Sequence, residues 1–128
     1  MLSFNRLGIL FVFVVLIMFF SCKESTGYSK IEIVDSNEDF GTIAINDTLT
    51  QTYFLKNVSR TELIIKNVQS SCGCTTVRYS AEEIYEGDEA IVIVQFIPDQ
   101  LGYTEKTVIV EANTNPPFNI LTLKGIVE

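Results

Sequence analysis

From Lys30 to the C-terminus, turn-forming residues interrupt the chain at short, even intervals, and no apolar stripe recurs at helical spacing between them. Strands are the only repeating structure such a chain can build. A strand needs about four to eight residues between punctuation marks, and an amphipathic helix needs about ten or more. The apolar or alternating runs are 31–34, 42–45, 50–56, 62–68, 75–79, 89–97, 104–112 and 119–127. Asn46-Asp47, residues 57–61, Glu86-Gly87-Asp88, Pro98-Asp99 with Gly102, and residues 113–117 separate them as turn signals.

Within the runs, alternation assigns faces. Val108, Val110 and Ala112 alternate with Thr107, Ile109 and Glu111. Ala90, Val92, Val94 and Phe96 point one way, while Ile91, Ile93 and Gln95 point the other. A run apolar on both faces predicts a central, well-covered strand. Ser80-Ala81-Glu82-Glu83 reads as a cap on one helical turn at most. Seven or eight short strands over residues 30–128 predict an all-β, Ig-like sandwich of two antiparallel sheets.

Residues 1–21 read as a leader. Arg6 and the terminal amine form a positive start, and residues 7–20 are an unbroken apolar run. That run is shorter than the ~20 residues a membrane span needs and fits the core of a signal peptide. Phe19-Phe20-Ser21-Cys22 then gives way to Lys23-Glu24-Ser25-Thr26-Gly27. A small residue directly before Cys resembles a bacterial lipoprotein signal, which implies that Cys22 is lipidated and becomes the mature N-terminus. Residues 22–29 read as a flexible tether. Lys23 after the Cys resembles lipoproteins released to an outer membrane, so the expected address is the cell envelope, facing the periplasm.

Charge narrows the partners. Arg6 is the one charged residue before Cys22, so the remainder carries eight cations against sixteen anions. A chain this acidic lacks the footprint for a phosphate backbone, and no nucleic acid partner is expected. There is no His, which removes Ser-His and Cys-His catalysis and every imidazole metal site. Glu82, Glu83, Glu86, Asp88 and Glu89 do not match the spacing of a calcium loop and read as a solvated acidic turn. Asp47-Thr48-Leu49 has the form of a short O-glycosylation signal, and Asn57-Val58-Ser59 has the form of an N-glycan sequon.

The chemistry concentrates at Ser71-Cys72-Gly73-Cys74-Thr75, which holds the only cysteines besides Cys22. Three readings stand side by side. Cys72 and Cys74 can bond to each other and pin a loop, with Gly73 taking the backbone angles a small ring demands. A labile disulfide can also exchange with thiols, for which Lys66 and Arg78 are the nearby cations able to favour a thiolate. Two thiolates can hold a soft metal, although zinc would lack ligands within one chain.

The order Phe40-Gly41-Thr42-Ile43, Phe54-Leu55-Lys56-Asn57 and Leu63-Ile64-Ile65-Lys66-Asn67-Val68 leads into Ser71-Cys72-Gly73-Cys74-Thr75. Glu86-Gly87-Asp88, Phe96-Ile97-Pro98, Gly102 and Leu123-Lys124-Gly125 follow. This resembles the bacterial Ig-like lipoprotein family with a Cys-Gly-Cys motif, common in Bacteroidota (domain of unknown function 1573). Two places depart from the family pattern: Glu86 stands where Pro is frequent, and Ser59-Arg60 where Gly is usual. The resemblance implies a sandwich similar to the modules of ciliary and centrosomal scaffold proteins, and it implies no activity. The resulting expectation is a non-catalytic module without cofactor or metal. It would be anchored to a membrane through Cys22 and meet an envelope protein through the Cys72 loop, with Tyr79, Tyr85 and Tyr103 as candidate anchors. The alternative is a thiol-disulfide redox protein using Cys72 and Cys74.

Overall fold

Alternation decides what goes inside. The computed structural model describes Gly8 and residues 27–128, so Cys22 and, Gly8 apart, the leader at 1–21 lie outside the described residues. The strands are β1 (Ile31–Ile33), β2 (Asn37–Ile43), β3 (Leu49–Asn57), β4 (Ile65–Ser70), β5 (Thr75–Tyr79), β6 (Glu89–Phe96), β7 (Gly102–Ala112) and β8 (Phe118–Val127). One sheet has the order β1-β3-β6-β5 and the other β2-β8-β7-β4. The first contributes Tyr53, Leu55, Ala90, Val92, Val94 and Phe96 to the core. The second contributes Val68, Val108, Val110, Ala112, Leu121, Leu123 and Val127. Each large apolar side chain withdrawn from water here is worth about 1.5–3 kcal/mol.

The expectation of two antiparallel sheets needs one correction: β2 runs parallel to β8. β1 lies against the Asn57 end of β3. A short turn with Asp35 at φ 56° then carries the chain to the edge of the other sheet. Because the chain crosses without reversing, β2 must run the same way as β8. β2 also begins at Asn37, earlier than the expected run at 42–45, and a register shift separates Asp39 from Thr42. Gly41 supplies the positive φ at that irregularity, 72°. Gly125 faces it from β8. A Cβ there would collide with the Phe40 ring and lie 2.7 Å from the Gly41 carbonyl oxygen, so only glycine lets β2 close onto β8.

Three smaller readings also change. No helical turn forms at 80–83. Instead Ser80 prolongs the β5–β6 ladder, its N–H donating to the Ile91 carbonyl and its Oγ accepting from Ile91 N–H. Leu63 forms an isolated bridge with Ile84 and does not belong to β4. β6 is flanked by β3 and β5 as expected, but Ile91 and Ile93 face outward and are exposed.

Two polar side chains tie the layers together. The Tyr53 hydroxyl, on β3, donates to the Thr122 carbonyl of β8 at 3.1 Å, a bond from one sheet to the other. Burial, with the Glu38 carboxylate adding to it, pushes the phenol from 10.0 up to about 12. Asn57 is fully buried where β3 ends. Its Nδ2 donates to the carbonyls of Thr61 and Ile84, both at 2.8 Å. Its Oδ1 accepts from Ser59 N–H, Ser59 Oγ and Ser29 Oγ. The Ser59 that departs from the family pattern is thus a working member of this knot, and the sequon asparagine is shut away from any glycan.

Replacing Asn57 by Ala strands two carbonyls in the interior, so the Asn57→Ala variant should lose about 2–4 kcal/mol in urea unfolding. Wild-type stability would place the knot outside the fold's main supports. A second expectation concerns alkali. Below pH 10 Tyr53 is neutral whether the chain is folded or not. From about pH 10 to 12 the unfolded phenol ionises while the folded one keeps its proton, so stability falls across that window. Urea midpoints compared at pH 9 and 11.5 should drop less in Tyr53→Phe than in the wild type.

Candidate functional site

The Cys72–Cys74 loop is one of the places where the chain passes between sheets. β4 is a terminal strand of one sheet, β5 a terminal strand of the other, and residues 71–74 join them. Cys72 and Cys74 are bonded to each other, with their Cα atoms 5.4 Å apart. Backbone and hydroxyl bonds hold both ends of this crossing. Ser71 N–H donates to the Thr107 carbonyl, and Thr107 N–H donates to Ser71 Oγ. Ser70 Oγ bonds the carbonyls of Cys72 and Thr75, at 2.8 and 3.0 Å. Ile97 N–H donates to the Cys74 carbonyl at 3.0 Å, which fixes the loop to the end of β6. Cys74 packs against the core, whereas Gly73 is exposed.

Gly73 is the expected turn residue of the small ring. It lies outside the left-handed region, and nothing stands within 4 Å of where a Cβ would sit. Neither a positive φ nor crowding by the described residues demands glycine there. Among the described residues the sulfurs have one hydrogen-bonding side-chain neighbour, the Thr75 hydroxyl, at 3.6 Å from Cys72 and 3.9 Å from Cys74. With both sulfurs bonded to each other, no thiolate is available to a soft metal in this state. Among the described residues no group of three or more His, Cys, Asp or Glu side chains is placed to hold a metal ion.

The loop and Ser29 occupy opposite ends of the sandwich. Ser29, where the domain begins, bridges to Thr114 and bonds Asn57. At the other end Thr75 lies level with Phe96 and Leu49. Tyr79, Tyr85 and Tyr103 are all exposed, and the last donates to Glu105 at 2.9 Å, which raises its pKa. Sequence reasoning passed over Arg78 as a surface feature. With Thr50, Thr76, Ile93 and Gln95 it lines a shallow depression of about 220 Å³ on the outer face of β5 and β6. The available signal was that Arg78 is the one charged residue in 75–80.

A ring this small removes little freedom from the unfolded chain, and the loop has other supports. The double variant Cys72→Ser with Cys74→Ser should therefore fold and lose only about 1–2 kcal/mol. Gly73→Ala should be close to neutral. A loss above ~4 kcal/mol in the double variant, measured by urea unfolding, would make the disulfide a principal support of the fold.

No curated protein matches the chain. A crystal structure of a protein of unknown function from Porphyromonas gingivalis W83 superposes with a TM-score of 0.70 at 15% identity, over 84% of this chain and 50% of that one. This chain thus spans half the length of that protein. The PapD-like domain 7 of human CEP192 gives a TM-score of 0.64 at 15% identity, covering 79% of this chain and 87% of that domain. WR4, a C. elegans MSP family member, gives 0.51 at 13% identity, covering 79% and 100%. At these identities the likeness is one of fold, an Ig-like β-sandwich. The sequence model described as protein of unknown function (DUF1573) matches residues 31–127, and the chain belongs to that family.

Proposed function

We propose that this protein is a lipid-anchored module of the bacterial cell envelope that binds another envelope protein and carries out no catalysis of its own. The observation that carries this reading is the apolar surface left uncovered on both sheets. Phe54, Ile91 and Ile93 are exposed on the outer face of one sheet, and Ile109, Phe118 and Ile120 on the other. Ile109 and Ile120 are direct cross-strand neighbours, so these side chains form patches and are not scattered singly. Contiguous exposed apolar area is the usual mark of an interaction surface.

The leader and Cys22 supply the anchor in this reading, and residues 22–29 supply the tether. That tether enters beside Asn57, so the crossing at Cys72 lies at the membrane-distal end, eight or nine strand residues or about 27 Å away. A loop at that end, with open space above Gly73, is accessible to a partner's backbone.

Cys22→Ser should lose fatty-acid labelling and move from the membrane to the soluble fraction as a folded domain. Persistence of the variant in the membrane would argue for an uncleaved anchor, and fatty-acid labelling absent from the wild type would refute the lipid anchor. A photo-crosslinking residue at position 73 of the anchored protein should give one discrete covalent adduct in cells. A smear, or no adduct, would count against a specific partner at that end.

A further inference from the structure

An antiparallel edge strand turns the backbone groups of every second residue away from its neighbour, and register says which ones. Along β5 the bonded pairs with β6 include Ile97 N–H to the Cys74 carbonyl and Ser80 N–H to the Ile91 carbonyl, each at 3.0 Å. Thr76 and Arg78, opposite Gln95 and Ile93, therefore also direct N–H and C=O toward β6. Thr75, Val77 and Tyr79 direct theirs outward. The Cys72 loop takes up the first of these: Thr75 N–H donates to the Cys72 carbonyl at 3.4 Å, and the Thr75 carbonyl accepts from Ser70 Oγ. Val77 and Tyr79 keep four backbone groups facing outward with no partner among the described residues.

Open edges invite pairing, and proteins blunt the ones they do not use. β1 is only three residues long. β2 and β4 are broken by register shifts, at Asp39/Thr42 and at Ile65/Asn67. β3 is open beyond Ile33, but the Gln51 side chain reaches the Thr52 carbonyl there, and residues 49–54 carry no charge to select a partner. β5 has five residues in unbroken register, no proline, and a disulfide-closed loop fixing its first rung.

Its side chains also specify a charge. Arg78 faces outward beside Thr76, Ile91, Ile93 and Gln95, none of them charged, and makes no ion pair among the described residues. The nearest carboxylates in sequence, Glu82 and Glu83, lie beyond the end of the strand. An unpaired guanidinium on the open edge of a chain of net charge −7 is complementary to a carboxylate.

We infer that the free edge of β5 receives an extended segment of a partner polypeptide as an added strand, with an aspartate or glutamate of that segment facing Arg78. This rests on the binding-module reading and names the surface and the chemistry of its partner. Backbone bonds at Val77 and Tyr79 hold the segment, and Arg78 selects its charge.

A displayed library of random linear peptides, panned against the full-length protein, tests it. Enriched peptides should alternate apolar and polar residues with a carboxylate in the polar set, and should protect the Val77 and Tyr79 amides from hydrogen exchange. Val77→Pro removes an N–H that the β5–β6 ladder does not use, so the variant should fold yet bind these peptides at least ~10-fold more weakly. Arg78→Glu, a surface change, should weaken them by a similar factor and favour basic peptides instead. Enriched peptides that bind both variants as well as the wild type would overturn the edge site and leave a binding module elsewhere on the surface. Absence of any enrichment would overturn both. A wild-type dimer that Val77→Pro dissociates would replace the acidic partner with a second copy of this chain.

Discussion

Everything at the Ser29 end of the sandwich depends on one buried amide. Asn57 stands where β3 must stop, where the N-terminal segment must enter, and where the long connection from β5 to β6 passes. Each of these leaves backbone groups that a strand ladder cannot satisfy. One side chain answers most of them, donating to Thr61 and Ile84 and accepting from Ser29 and Ser59. The backbone of Asn57 closes the remainder: its N–H donates to the Asp88 carbonyl, and its carbonyl accepts from Gly87 N–H. No apolar residue could do this, and no charged one would tolerate complete burial without an ion partner.

At the opposite end the closure is made by shape. Phe40 lies on Gly125 and at a ring-centroid distance of 6.0 Å from Phe96, and the Lys106 ammonium sits 5.6 Å from the Phe96 centroid. The glycine that closes the family pattern is thereby explained as the floor under an aromatic ring. Tyr53 bonds the two sheets between these ends, so the sandwich is fixed by polar contacts at one end and in the middle and by aromatic packing at the other.

Most of the fold was legible because the core strands obey a period of two. Val92, Val94 and Phe96 announced their burial, as did Val108 and Val110, and all are at most 1% exposed. The parallel placement of β2 was hidden because its register breaks at Gly41, which erases alternation where pairing would be read. The outward exposure of Ile91 and Ile93 was hidden for a different reason. A residue facing solvent and a residue facing a second layer look alike in sequence when both are isoleucine. Asn57 looked like a turn residue because the sequence shows its neighbours along the chain and not Ser29 or Ile84. The pairing of Cys72 with Cys74 was readable as one option among three. That the disulfide-bonded loop joins two terminal strands of different sheets follows only from topology.

That topology bears on why a fold with an adequate core would carry so small a disulfide. A crossing between sheets is the place where an edge strand is least supported, since its first residue has a neighbour on one side only. Ser70, Ser71 and the Cys72 carbonyl bond the crossing, and the Cys72–Cys74 bond closes a small ring between the last rung of β4 and the first of β5. The ring contributes little to global stability because it closes so few residues. Its effect is local. It sits beside the start of β5, which Ile97 N–H holds through the Cys74 carbonyl and Ser70 Oγ through the Thr75 carbonyl, while the β5–β6 register turns Val77 and Tyr79 outward. An edge whose first rung can fray presents a partner with a changing set of donors and acceptors, and ordering it on binding costs affinity. If β5 receives a partner strand as proposed, a held first rung lowers that cost, which would give a weakly stabilising disulfide a physical reason to sit at this end of the molecule.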